Sequence, residues 1–310
     1  MMSETKFDDL TIQSNFMFKH VMGNKGLCQR FISNVMKCDV VDLEYIETEK
    51  ELEPYFDSKC VRLDVIVVDR NNNRYNLEMQ VRNVIGKETK LPLLPKRARY
   101  YQSVMDMDML QKGQTYDKLS PLVLVFVCAF DLFKEGRYVY TFKSRCLENL
   151  DLELANDVTT MFLNANGVAG DVTPQMVNFL EYVKTKVPND AYTRELEAEV
   201  ARLKLDKEVR RKYMVLQAEL RDTEIVAFEA GEAKGRAVGL ADGREEGHAA
   251  GLAQGLAEGL AEGEAKKSRE TALEMLKDRE PLTKIMKYSK LAKEDILLLA
   301  KENGIEAVVA

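Results

Sequence analysis

The sequence predicts an α/β protein: helices cover a sheet with a buried central strand, and a helical C-terminal extension follows. Three observations carry this expectation. Pro121 to Phe130, PLVLVFVCAF, is a continuous apolar run of strand length, the pattern of a central strand covered on both faces. Segments of alternating polarity lie before and after it, interleaved with segments whose apolar residues recur at helical spacing. Beyond Glu224 glycine recurs at every fourth position from Gly231 to Gly263, among Ala, Glu and Leu, which marks a separate extension.

The elements follow in order. An opening helix is expected from about Asn15 to Met36, with Phe18, Val21, Met22, Phe31, Ile32 and Val35 along one side. A hairpin occupies Val61 to Val81, and a helix runs from Lys96 to Leu110. After the central strand, Tyr138, Tyr140 and Phe142 alternate as a strand does, and Val158 to Leu163 forms another. Thr173 before Pro174 is a helix start, with Met176, Val177, Leu180 and Val183 as the buried stripe. Asp190 to Glu224 reads as one long charged helix. The tail, ETALEMLK, PLTKIMKYSKL and KEDILLLAKEN, reads as a small helical module whose last two helices suggest a helix-turn-helix or a packing unit. Three parts result: 1–225, the repeat 226–266, and 267–310.

The hairpin VRLDVIVVDRNNNRYNLEMQV is the most informative segment. Leu63, Val65 and Val67 share one face, while Ile66 and Val68 share the other with Asp64. A carboxylate on a strand buried on both faces is costly to desolvate unless a cation partners it. With Asn71, Asn72 and Asn73 as the turn, Arg70 faces Arg74, Asp64 lies directly opposite Gln80, and Glu78 sits on the diagonal. Opposite Cα atoms lie roughly 5 Å apart and diagonal ones about 7 to 8 Å, so two carboxylates can converge on one divalent cation. Hard oxygen ligands suit Mg²⁺ or Mn²⁺ rather than zinc. The alternative is a hairpin with one solvated face, on which Asp64 and Glu78 are surface charges.

From Phe7 to about Arg221 the chain resembles the PD-(D/E)XK nuclease family transposases, also called the Rpn recombination-promoting nucleases. The resemblance rests on SNFMFKHVM (Ser14 to Met22), KCVRLDV (Lys59 to Val65), YNLEMQ (Tyr75 to Gln80) and LPKRARYYQSVMD (Leu91 to Asp106). VFVCAFDLF (Val125 to Phe133), YTFKSRC (Tyr140 to Cys146) and FLNANG (Phe162 to Gly167) continue it in the same order. It implies a restriction-endonuclease-like core with a mixed sheet flanked by helices, and a metal-dependent DNA endonuclease. Asp64, Glu78 and the main chain of Met79 would hold the metal. The superfamily's usual lysine falls at Gln80, which is no base near neutral pH and would orient the attacking water by hydrogen bonds. Lys59 is a candidate for the missing positive charge. In related nucleases the helix after the catalytic strands lies beside the scissile phosphate, which makes Lys96, Arg97, Arg99 and Tyr101 candidate nucleic-acid contacts. Asn15 stands where relatives often carry Asp, and either assists the site or caps the helix. A catalytically silent relative that binds nucleic acid or protein is the rival reading.

Composition is compatible with this. The net charge of -6 and pI near 5.4 argue against a protein that coats nucleic acid. From Arg74 to Arg145, however, 13 Lys and Arg stand against 7 Asp and Glu, a local excess beside the hairpin. Five cysteines without C-x-x-C spacing indicate neither a zinc knuckle nor a disulfide framework. His20 and His248 are incidental to the chemistry. MMSETKFDDL lacks the apolar core of a signal peptide and no run is long enough to span a membrane, so a cytoplasmic protein with DNA as partner is expected. The Gly231–Gly263 line winds slowly around a helix and is either a homodimer-forming pairing surface or a tether, since interior glycine costs roughly 1 kcal/mol against alanine.

Overall fold

The computed structural model describes residues 6–40, 42–52 and 60–308. It divides into two compact units, residues 1–218 and 219–310. The first is built on a six-stranded mixed sheet: β1 (Leu43–Leu52), β2 (Val61–Asp69), β3 (Arg74–Gln80), β4 (Leu122–Cys128), β5 (Val139–Phe142) and β6 (Val158–Asn164), in the order β1-β2-β3-β4-β6-β5. β3, β4 and β6 are parallel, and the β1–β2, β2–β3 and β5–β6 pairs are antiparallel.

β4 is the central strand that its apolar run predicts, with all seven residues buried. Val123, Val125 and Val127 enter a core that includes α1 (Asn15–Met22), α2 (Lys25–Met36), α4 (Pro174–Thr185) and α5 (Ala191–Leu205). Leu122, Leu124, Phe126 and Cys128 enter a second core, closed by α3 (Leu94–Met109). Each large side chain buried in these layers contributes roughly 1.5–3 kcal/mol. α4 starts as expected: Thr173 Oγ1 accepts from the Met176 amide at 3.2 Å, with Pro174 in the first turn.

Four expectations are corrected. The opening helix is two, because Gly23 ends α1 and Asn24 caps α2, its side chain accepting from the Leu27 amide at 3.3 Å. The N-cap of α1 is Ser14, so Asn15 is its exposed first residue rather than a cap. The charged segment from Asp190 is also two helices: Asp206 adopts an extended backbone after α5 and accepts from the Glu208 amide at 2.8 Å, and α6 (Lys207–Lys277) begins. The hairpin turn, finally, comes one residue early. Asp69 Oδ1 accepts from the Asn71 and Asn73 amides, both at 2.9 Å, and Oδ2 from Asn73 Nδ2 at 2.9 Å and Tyr75 Oη at 3.0 Å. Asn72 takes the left-handed conformation, φ 59°, which this three-residue loop requires. Val68 therefore pairs with Arg74. Leu63 also departs from its expected face: it packs in the α3-side core, while Val65 and Val67 lie in the other.

β1 is not legible in the sequence. LEYIETEKEL has no apolar alternation because it is an edge strand, with mostly half-exposed side chains. The second unit comprises the later part of α6, then α7 (Leu282–Ser289) and α8 (Lys293–Glu302), around a small core of Ala272, Leu276, Leu282, Ile285, Ile296 and Ala300. The nine repeat glycines all lie within α6, and a Cβ added at any of them meets nothing within 4 Å. Among the described residues no helix is long and apolar enough to cross a membrane, and all five cysteines are free.

Candidate active site

The turn decides the register, and the register decides the site. Val65 pairs with Leu77, the last pair of the β2–β3 ladder, so one step further Asp64 stands opposite Glu78 rather than Gln80. The turn moves by one residue on both strands, and parity is preserved: Asp64 and Glu78 remain on one face, closer than expected. Beyond Val65 the carboxylates replace backbone acceptors. The Asp64 amide donates to Glu78 Oε1 at 3.1 Å and the Met79 amide donates to Asp64 Oδ2 at 3.2 Å. The strands part where the two acids meet.

Glu78 is 2% exposed and Asp64 half-buried. Glu78 Oε1 also receives Asn76 Nδ2 at 3.4 Å, and Oε2 receives Gln80 Nε2 at 3.3 Å and Arg97 Nη2 at 3.4 Å. Contacts of 3.1 to 3.4 Å are long for bonds to a carboxylate, typically about 2.7–2.9 Å when charge-assisted, so the oxygens retain accepting capacity. Asn76 is fully buried and its Oδ1 has no partner. Burial pushes the Glu78 carboxyl well above its ordinary pKa, and the facing Asp64 adds to the rise. Burial also raises Asp64, against the Met79 amide and the Lys19 and Arg97 cations. Two acids that resist ionisation, stand face to face and keep unfilled acceptor capacity are suited to a divalent cation. Among the described residues no cluster of three or more His, Cys, Asp or Glu is placed to hold a metal, so the donor set is two carboxylates with backbone and amide oxygens. That set fits Mg²⁺ or Mn²⁺, which keep several waters.

Residues 12–217 match the model of the PD-(D/E)XK nuclease family transposases. The chain belongs to this family. No curated protein and no solved structure matches it. Membership supports a nuclease-related function, and it covers the sheet, both acids and α3.

The remaining predicted residues divide. Arg97 on α3 is turned to Glu78, with its guanidinium 5.3 Å from the Tyr101 ring. Tyr101 is buried against Phe126, so its ring packs inward, and burial raises its hydroxyl pKa above the ordinary value. Lys96 and Arg99 are exposed on α3. Lys59 lies outside the described residues. His20 packs on Phe16, donating from Nδ1 to the Phe16 carbonyl at 2.6 Å, and burial lowers its pKa.

Two residues near the acids escaped sequence reasoning. Glu49 on β1 lies between the pairs Thr48–Val65 and Lys50–Leu63, which sets it opposite Asp64. Lys19 on α1 is 5% exposed and forms an ion pair with Glu49. Lys19 was visible in the matching segment SNFMFKHVM, on the apolar side of a helix. Glu49 carried no signal, because β1 was not recognisable as a strand. A groove of about 1130 Å³ elsewhere, lined by Arg30, Asn34, Asn178 and Asp190, includes none of these residues. Its charged groups are occupied, Asp190 in the capping box of α5 and Arg30 with Glu195.

Proposed function

We propose that this protein is a metal-dependent DNA endonuclease that hydrolyses phosphodiester bonds at the Asp64–Glu78 pair. One observation carries the reading: two carboxyls, both with raised pKa, face each other at the end of the β2–β3 ladder in a chain of this family. Asp64, Glu78 and the Met79 carbonyl would hold Mg²⁺ or Mn²⁺. The cation, when bound, lowers the pKa of its water and offsets charge on the phosphoryl oxygens. Gln80 donates to Glu78 through Nε2, and its Oε1 remains to accept from, and so orient, the attacking water. Arg97 keeps a positive group beside Glu78 and, being 38% exposed, can reach substrate phosphate. Lys96 and Arg99 extend that charge along α3 and would track the DNA backbone. The glycine line of α6 supports pairing of two chains, so that two sites address both strands of a duplex. A cytoplasmic setting accords with free cysteines.

The test is cleavage of supercoiled plasmid with Mg²⁺ or Mn²⁺ by the wild type, Asp64→Ala and Glu78→Ala, each verified as folded. The wild type is expected to nick or linearise the plasmid and both variants to fail. A folded wild type with no metal-dependent cleavage would favour the silent, nucleic-acid-binding or protein-binding reading instead.

A further inference from the structure

Lysine is among the residues least often buried, yet Lys19 is 5% exposed. Its ammonium is paired with Glu49 and lies 5.0 Å from the Phe16 ring. The strand registers put Glu49, Asp64 and Glu78 in one row across β1, β2 and β3, with Lys19 at the Glu49 end and Arg97 at the Glu78 end. Of the two cations that act on Asp64, Lys19 weighs more than Arg97.

Such a pair is a poor stability device. Desolvation offsets most of the attraction of a buried ion pair. Glu49 adds backbone strain, because its φ is 65° in the middle of a strand, a left-handed conformation for a residue with a Cβ. Strain of this kind concentrates at functional sites. The row also lacks a positive group at position 80, where the amide of Gln80 is neutral.

We propose that Lys19 is the catalytic ammonium of this site, held beside Asp64 by Glu49, and that it binds a non-bridging oxygen of the scissile phosphate. The inference rests on the nuclease reading. In the hydrolysis the water oxygen forms the new bond to phosphorus, and the bond to one sugar oxygen breaks with its electron pair. One water proton reaches that oxygen through solvent, and the other leaves as the new phosphate ionises. Lys19 stays protonated throughout and donates to the phosphoryl oxygen as charge builds on it. Glu49 is a positioning residue.

The test compares the full chain with Lys19→Met, Lys19→Arg and Glu49→Gln in single-turnover cleavage of duplex DNA with Mg²⁺, and in Mn²⁺ binding by calorimetry without DNA. Lys19→Met is expected to slow cleavage about a hundredfold while DNA affinity holds, and Lys19→Arg to recover part of the rate. Mn²⁺ should bind several-fold tighter to Lys19→Met, which loses a repelling charge, and more weakly to Glu49→Gln, which leaves Lys19 uncompensated. Cleavage by folded Lys19→Met within about threefold of wild type, or Mn²⁺ affinities unmoved in both variants, overturns the proposal. If Lys19→Met does not fold, Lys19→Met combined with Glu49→Gln removes the lone carboxylate and takes its place in the cleavage assay. An inactive wild type defeats the nuclease reading itself, whereas an active wild type beside an active Lys19 variant defeats only the role of Lys19.

Discussion

At Glu78 four donors converge on one carboxylate at 3.1 to 3.4 Å, and the nearest other acid is Asp64, directly across the strand. Burial keeps both carboxyls protonated at pH values where the unfolded chain has released those protons. The folded state then binds more protons within that window, so stability falls as pH rises from the ordinary carboxylate range through the raised values. Metal-free protein should therefore melt at progressively lower temperature between about pH 5 and about pH 8. Glu78→Gln should flatten that decline and melt higher at the upper end; an unchanged slope would mean that the pair is not the source. Asp64 and Glu78 were legible in the sequence because a carboxylate on an apolar strand demands a partner. Lys19 was not, since a lysine on an amphipathic helix reads as solvated, and only tertiary packing on β1 to β3 buries it.

The β2–β3 hairpin is the element that brings the acids together, and Asp69 fixes its turn. The sequence offered three consecutive asparagines as a turn, but the carboxylate of Asp69, which accepts from two backbone amides, selects Arg70–Asn72 instead. Asp69→Ala leaves those buried donors unsatisfied and is expected to destabilise the protein by roughly 2 kcal/mol in urea unfolding. A loss under about 0.5 kcal/mol would show that the loop closes without it. Strands β2 to β6 and helices α3 and α4 were readable from apolar runs, alternation and the Thr173–Pro174 start. The breaks at Asn24 and Asp206 were harder, because one short polar residue decides each. In α6, alanine at Gly243, Gly247 and Gly251 should raise helicity, each change removing about 1 kcal/mol of glycine penalty. If two chains pair along this line, the same substitutions should shift the sedimenting species from dimer to monomer. A wild type that sediments as a monomer would leave the repeat as a tether.

For the whole molecule, the family match over residues 12–217 and the core of the first unit coincide, which locates the chemistry in the sheet and leaves the repeat and tail outside it. DNA engagement should depend on α3. Lys96→Ala combined with Arg99→Ala should weaken duplex binding and reduce the slope of log affinity against log salt by about two, with thermal stability unchanged. An unaltered slope would move the phosphate-binding surface elsewhere. The most direct measurement of the central claim is Mn²⁺ titration calorimetry in buffers of different ionisation enthalpy, comparing wild type with Glu78→Gln. The account predicts binding by wild type with release of protons near neutral pH, because the cation displaces protons that burial retains on Asp64 and Glu78, and binding that is lost or much weakened in Glu78→Gln. Absence of Mn²⁺ binding, or equal binding by both proteins, would contradict it.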